Sequence, residues 1–345
     1  MHAVILSAGS STRTYPLTLT TPKPMLKIAN KPLLEHTFER LIGIADEVII
    51  VIGYMGDRIR NYFGNNFRNI RLRYIEQREQ LGTGHALLQT KDIIKGRFLV
   101  MMGDDLYSHG DIKNCLRHNL AVVASKVTNP ENYGIFTIKN NFVMDIIEKP
   151  QRFVGNLANT GLYILDDKIF GVLSGLKKTE RNEYELTDAI REISKSRNLE
   201  CVVSTEWLPI AYPWDMLRAD SVLRNKKNSI GKNSRISGTL ENSSVGDNCV
   251  ITGIVRNSII MDNARIEDSV IEDSVIGNNV FFSGIVKPVL NIQKIINGRK
   301  VSIERIGCII GDNTEALDVR IESGAMIWPG IKITNKSIEG DIIEE

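Results

Sequence analysis

Residues 5–24 read ILSAGSSTRTYPLTLTTPKP, an apolar strand end running into a small-residue turn around Gly9, followed by Arg13 and then Lys23. A strand that ends in a glycine-containing turn lets backbone N–H groups face a phosphate chain, and the two cations add charge that a polyanion would otherwise lack. The GK[ST] ending of a Walker A loop is absent. In MMGDDLYSHG, Asp104 follows the apolar run RFLVMM. A carboxylate just past a strand end suits Mg²⁺, a hard cation that takes oxygen ligands and bridges to phosphate. Bland readings stand beside these: Arg13 and Lys23 as solvated loop cations, and Asp215 in AYPWDML as a cap on the helix after it.

The elements that must hold these residues follow from periodicity. Apolar runs at 3–7, 47–52, 70–75 and 97–102 read as strands, while 32–43, 56–63, 83–94 and 184–196 carry helical spacing. Strands alternating with helices predict a mostly parallel sheet covered on both faces. Ligands of such sheets bind at the C-terminal strand ends, so the loops at 8–24, 53–56, 76–83 and 103–110 matter most.

After about residue 228 the period changes. Aliphatic residues recur at six-residue steps, as in Ile230/Ile236, Val245/Ile251, Ile260/Ile266 and Ile321/Ile327/Ile333. Three such steps predict one triangular coil, and Gly-Asp-Asn at 246–248 and 311–313 suits a corner in left-handed conformation. The period drops to five at 266–276, and 284–300 has no hexad, so an irregular coil or excursion is expected there. The expected domains are 1–227 and 228–345.

Composition narrows the class. With 345 residues, 42% hydrophobic and 24% charged, the chain is long enough for two packed cores and is neither disordered nor collagenous. Lys plus Arg (43) balance Asp plus Glu (41) without long blocks, which argues against nucleic acid and anionic membrane as partners. The four cysteines form no CxxC pair, so neither a zinc site nor a disulfide framework is expected. The N-terminus shows no basic flank or cleavage site, and no apolar run approaches the ~18 residues of a membrane span. A cytoplasmic protein is the expectation.

The 5–24 segment as a whole resembles the opening motif of the sugar-1-phosphate nucleotidylyltransferases, (L)(A)AGxGTRxxPLTxxxPKPLL, and the resemblance continues along the chain. It implies nucleotide binding by Leu6, Ala8, Gly9, Ser10, Ser11 and Thr12. Ser11 departs from the family's usual glycine and would be strained if the turn needs positive φ. Gln77, Gly82 and Thr83 in EQREQLGTGHA resemble the base-reading segment, in a form most like the uridylyltransferases that handle N-acetylglucosamine 1-phosphate. A helix N-terminus is the other reading of that Gly-rich turn. Asp104 and Asp215 match the two metal-binding aspartates. On the sugar side, Tyr133 and Gly134 resemble the strand lying against the hexose, Glu148 an acceptor for its hydroxyls, Lys149 the holder of its phosphate, and Asn159 and Thr160 sugar-facing positions. Glu148-Lys149-Pro150 also reads as a strand end before a turn, and Asn159-Thr160-Gly161 as a β-bulge. The segment EYELTDAI (183–190) matches a family helix read here as scaffold.

The resemblance implies an α/β fold, a Rossmann-like mixed, mostly parallel sheet with helices on both faces, followed by a left-handed parallel β-helix of hexapeptide repeats. It implies transfer of a nucleotidyl group from UTP or dTTP to glucose 1-phosphate or N-acetylglucosamine 1-phosphate with Mg²⁺, Arg13 and Lys23 on the triphosphate and Lys149 on the attacking phosphate. Base and sugar stay open. A homo-oligomer is expected, with a trimer favoured. Two alternatives are a bifunctional enzyme that also acetylates glucosamine 1-phosphate in the β-helix and a non-catalytic assembly subunit. The first is disfavoured because all five histidines precede residue 119, and the second because every charged site residue is present.

Overall fold

The computed structural model describes residues 1–344. It divides the chain into two compact units, Met1–Ser10 with Leu34–Pro209, and Ser11–Leu33 with Ile210 onward. The first carries a ten-stranded mixed sheet. Its strands are β1 (His2–Ser7), β2 (Glu47–Ile52), β3 (Asn66–Phe67), β4 (Ile70–Glu76), β5 (Arg97–Met102), β6 (Ala121–Lys126), β7 (Gly134–Lys139), β8 (Phe142–Glu148), β9 (Leu157–Asp166) and β10 (Glu200–Val203). They lie in the order β7-β8-β10-β6-β9-β5-β1-β2-β4-β3.

The four strands read from sequence, β1, β2, β4 and β5, form one parallel block. Both faces of its centre are buried, which explains why Ala3–Ile5 and Val48–Val51 are apolar without alternation. Antiparallel pairing enters with β9, which pairs with both β5 and β6, and with the β7–β8 hairpin. Asn140 and Asn141 turn that hairpin with φ of 50° and 66°, a two-residue turn for which asparagine is well suited. Helices form at Leu33–Leu41, Gly56–Phe63, Thr83–Leu88 and Leu186–Ser196. The third ends well short of the expected 94 because the N–H and hydroxyl of Thr90 both donate to the Leu87 carbonyl, at 3.0 and 2.8 Å, and close the last turn.

In the second unit, parallel strands stack into a β-helix. Ser229–Ile230, Ser244–Val245, Ile259–Ile260, Val275–Ile276, Ile309–Ile310 and Met326–Ile327 form one sheet, and six longer strands from Arg235–Glu241 to Lys332–Thr334, with the short Ser337–Ile338, form a second, seven-stranded one. The buried faces of Val245, Ile251, Ile260, Ile266, Ile321, Ile327 and Ile333 bear out the hexad pattern. Ile230 does not fit it and is 54% exposed, because it opens the first coil and has no coil beneath.

The coils are shorter than three full hexads: equivalent residues of neighbouring coils recur after 15, 16 or 17 residues. Three tight corners per coil account for this, as at Asn248 (φ 57°), Gly253 (φ 114°) and Asn257 (φ 48°). The five-residue stretch at 266–276 adds one residue, taken up at Asp268 (φ 45°), where the register shifts. Asn233, Asn248, Asn263, Asn279 and Asn313 form an amide ladder up one corner at 2.9–3.2 Å. The segment without hexads is an antiparallel hairpin, Val289–Ile296 with Arg299–Ile306. The four cysteines are free, and no helix among the described residues is long and apolar enough to cross a membrane.

Candidate functional site

In the first unit, the C-terminal ends of β1 and β5 lie side by side, with Leu6 paired to Met102 and Asp104 just past the strand end. Gly103 N–H donates to the Leu6 carbonyl at 2.9 Å, and a Cβ on Gly103 would lie 1.9 Å from Ser7 Oγ. Only glycine lets the two strand ends approach this closely, and that approach sets Asp104 beside the start of the Ala8–Gly9–Ser10 turn. Ser7 Oγ is buried and has no hydrogen-bond partner among the described residues. An orphaned buried hydroxyl is costly, so Ser7 joins the candidate residues although its sequence position drew no attention.

The segment expected to read the base is internally tied. Gln77 is buried, and its Nε2 donates to the Gly82 carbonyl at 3.1 Å and lies 3.0 Å from His85 Nδ1. Gly82 takes φ 93°, and a Cβ there would meet the Tyr184 carbonyl at 2.7 Å. Thr83 Oγ1 accepts from Leu186 N–H at 3.0 Å and so serves the start of the helix Leu186–Ser196. These residues therefore pack against 183–186, and Gly82 also opens the helix Thr83–Leu88.

The residues expected on the sugar side gather around Glu148. A Cβ on Gly134 would lie 2.9 Å from Glu148 Oε2, so the glycine makes room for that carboxylate. Lys149 takes φ 46°, its N–H donates to the Tyr133 carbonyl at 2.9 Å, and its Nζ lies 3.6 Å from Glu148 Oε1. The Tyr133 ring meets Trp207 edge-on with centroids 5.5 Å apart. Asn159 Nδ2 donates to the Tyr163 hydroxyl at 2.6 Å, and its Oδ1 accepts from Gly161 N–H at 3.1 Å. The register shift at Asn159 confirms the bulge, and Thr160 turns inward, its hydroxyl donating to the Val123 carbonyl at 2.8 Å. Glu185 belongs with this cluster. Burial pushes it up to about 7, Arg181 at 2.7 Å opposes that, and Glu183 and Glu148 add to it. Its place in EYELTDAI was the available signal, read as scaffold.

In the second unit, Ser11 is left-handed at φ 53°, ψ 46°. The strain expected of a serine in the family's glycine position is therefore present. Its carbonyl accepts from Thr14 N–H and Thr18 Oγ1, both at 2.9 Å. A left-handed non-glycine residue costs roughly 1–2 kcal/mol, partly offset by the ~0.5–1 kcal/mol of chain entropy that a glycine adds. Ser11→Gly is expected to raise the melting temperature by a degree or two on those values; a clear drop would show that the serine side chain holds the turn.

Arg13 follows in the short helical turn Thr12–Thr14, its guanidinium 5.8 Å from the centre of the Tyr212 ring. Lys23 is 3% exposed. Asp215 opens the helix Asp215–Leu223, and its Oδ2 accepts from the N–H groups of Ala211 and Tyr212 at 2.8 and 2.7 Å. Burial pushes this carboxyl above its ordinary range, while the two amides, Lys23 and Arg13 pull it down. Asp215 thus holds the chain ahead of its helix, and it stands among the two cations. A buried carboxylate that keeps charged neighbours is a donor suited to a hard divalent cation.

The same segment is fastened to the solenoid. Asn30 Nδ2 donates to the Val245 carbonyl at 2.9 Å, Lys27 Nζ pairs with Asp262 at 2.5 Å, and Thr20 Oγ1 donates to Asp312 at 2.8 Å. Ala29 N–H donates to Asp220 at 2.8 Å, and Asp220 also pairs with the buried Arg224.

Comparison with known proteins fits this arrangement. A sequence profile described as Nucleotidyl transferase matches residues 2–224. The bifunctional protein GlmU of Methanococcus maripaludis is 39% identical over 247 residues, covering 70% of this chain and 58% of its own length. The chain thus spans little more than half of such relatives. The UTP–glucose-1-phosphate uridylyltransferase AglF of Haloferax volcanii is 33% identical, covering 66% of this chain and 98% of its own. A UDP-glucose pyrophosphorylase solved with UDP-glucose aligns at TM-score 0.60 and 25% identity over 66% of this chain and 99% of its own. With the glycine-spaced strand ends and the Arg13–Lys23 turn on the same matched stretch, the chain belongs to the nucleotidyl transferase family.

Proposed function

We propose that the chain transfers a nucleotidyl group from UTP or dTTP to glucose 1-phosphate or N-acetylglucosamine 1-phosphate, releasing pyrophosphate. The observation that carries this reading is the turn after β1, where Arg13 and the buried Lys23 stand with the carboxylate of Asp215. Two anionic substrates repel unless their charge is neutralised, and two cations on the triphosphate side meet that need. A sugar phosphate is already nucleophilic at neutral pH, so no Ser, Cys or His nucleophile is required. Its oxygen attacks the α-phosphorus, the bond from that phosphorus to the β-phosphate oxygen breaks, and pyrophosphate leaves. Arg13 and Lys23 hold the leaving phosphates, Lys149 orients the attacking one, and Glu148 and Asn159 accept or donate to sugar hydroxyls. Asp104 and Asp215 would be the carboxylates that hold a Mg²⁺, which when bound would supply further charge neutralisation to the phosphates.

The relative named bifunctional raises acetyl transfer as a second reading. A protonated amine must lose its proton before it attacks a thioester, and histidine is the side chain suited to that. Residues 119–345 contain none. Assembly into a homo-oligomer, with a trimer favoured, is the reading that the stacked coils support. A reducing, cytoplasmic setting is the one that four free cysteines support.

The test is a panel of four NTPs and dTTP against several sugar 1-phosphates with Mg²⁺, read as pyrophosphate, plus coenzyme A release from acetyl-CoA with glucosamine 1-phosphate. Pyrophosphate with UTP or dTTP and no coenzyme A release is the expected pattern. Absence of pyrophosphate from every pair would overturn the transferase reading, and robust coenzyme A release would restore the bifunctional one.

A further inference from the structure

The hairpin Val289–Ile296/Arg299–Ile306 interrupts the solenoid without disturbing it. On either side of the excursion, Val275 pairs with Ile309 and Phe281 with Glu315 as successive coils do elsewhere. The stack gains no rung from these residues, so their use lies elsewhere.

The hairpin is held in place from base to tip. Gly324 takes φ 66°, and a Cβ there would lie 2.7 Å from Ile292 Cδ1 and 2.9 Å from Ile306 Cγ2, so its lack of a side chain seats the base. Ile303 and Ile306 are buried, Arg305 pairs with Asp273 at 2.7 Å, and Lys294 pairs with Asp341. At the tip, Asn297 and Gly298 take φ of 49° and 74°, the two-residue turn that matches strand twist. That turn ends on the nucleotide loop: Asn297 Nδ2 donates to Thr12 Oγ1 at 2.8 Å.

The direction of this bond matters chemically. A threonine hydroxyl has one proton to give and accepts through its lone pairs. With Asn297 donating to the oxygen, the Thr12 proton is left for another acceptor, and the neighbouring Arg13 marks the loop as one for anions. Next along the hairpin, Arg299 pairs across from Ile296 and alternates with Val301 and Ile303, so it lies on the hairpin face that is buried at the base. Lys300 lies on the opposite face with the exposed Ile295. Among the described residues neither cation has a carboxylate partner.

We propose that the hairpin tip completes the triphosphate site, with Asn297 as a positioning residue that sets the Thr12 hydroxyl to donate to a phosphate oxygen and Arg299 as an added cation for the same polyanion. The proposal rests on the reading of residues 8–13 as the triphosphate loop. The test compares Asn297→Ala, Arg299→Ala, Arg299→Lys, Lys300→Ala, Thr12→Val, the Asn297→Ala/Thr12→Val double variant and Arg13→Ala in the full-length protein. KM and kcat are measured for UTP or dTTP and for the sugar phosphate, inorganic tripolyphosphate affinity by calorimetry, and folding by circular dichroism.

Asn297→Ala and Arg299→Ala are each expected to raise the KM for the nucleotide and weaken tripolyphosphate about tenfold, the scale of one charge-assisted hydrogen bond. The KM for the sugar phosphate stays as it was. Arg299→Lys recovers part of the loss, Lys300→Ala changes nothing, and Asn297→Ala adds no loss in the Thr12→Val background. Wild-type nucleotide and tripolyphosphate values in both hairpin variants, with Arg13→Ala impaired, would overturn the proposal and leave the loop reading standing. Wild-type values in Arg13→Ala and Thr12→Val as well would overturn the loop reading itself.

Discussion

Asp104→Asn and Asp215→Asn are each expected to lower kcat by about 100- to 1,000-fold, equivalent to ~3–4 kcal/mol of barrier, while the protein still folds. A Mg²⁺ bound by few protein carboxylates depends on each of them, and an amide oxygen is a much weaker ligand than a carboxylate. Folding should survive for a local reason. Asp215 Oδ2 accepts two backbone N–H groups, and an asparagine oxygen can accept the same two. Burial opposes the charge of Asp215, so removing it adds no desolvation cost. Asp105→Asn is the comparison. Asp105 accepts from Trp207 Nε1 at 3.1 Å, a role that asparagine can keep, so a mild loss is expected. Near-wild-type Mg²⁺-dependent turnover in either Asp104→Asn or Asp215→Asn, measured as pyrophosphate release, would reject the metal assignment.

Arg13→Ala is expected to cut kcat/KM for the nucleotide by about 100-fold or more, the scale of losing a positioned charge from a developing oxyanion. The guanidinium rests over Tyr212 and next to Asp215, so its place is set before any substrate arrives. Arg13→Lys should recover only part of the loss, because an ammonium offers no planar fork to two phosphate oxygens. Loss of the folded circular dichroism signal in Arg13→Ala would point to general disruption instead. Unchanged kinetics would return Arg13 to a surface cation.

How far the sequence carried can be judged element by element. The parallel block was legible because β1, β2 and β5 are buried on both faces and so appear as nearly unbroken apolar runs, while β4 alternates, with Ile70 and Leu72 buried and Arg71 exposed. The solenoid was legible from its buried aliphatics, and its corner asparagines were anticipated at Asn248 and Asn313. Coil length was not, since the six-residue pairs such as Val245/Ile251 and Ile260/Ile266 mark one step of each coil, while the buried Val255 that falls between them stands at shorter steps. At the candidate site, Arg13, Lys23 and Asp215 came from one motif and one matched segment, and they do gather. Thr160 and Thr83 illustrate the limit: their residue types fit a binding role, yet Val123 and Leu186 take their hydroxyls. Ser7 escaped notice because a serine at a strand end is ordinary until its neighbour Gly103 closes over it. The contacts of 11–33 with the solenoid join residues some 200 to 300 positions apart, and no local pattern encodes them.

Those contacts also act as a ruler. Asn30, Lys27 and Thr20 meet Val245, Asp262 and Asp312, which sit on successively higher rungs, and Thr12 meets the hairpin that springs from between the last two. Neighbouring rungs are about 4.8 Å apart. Repeat proteins ordinarily gain and lose whole repeats with little consequence, since each touches only its neighbours. Here an added or deleted coil between Val245 and Asp312 would slide every later mark out of step with the loop by one full rung, so these contacts fix the number of coils in that stretch.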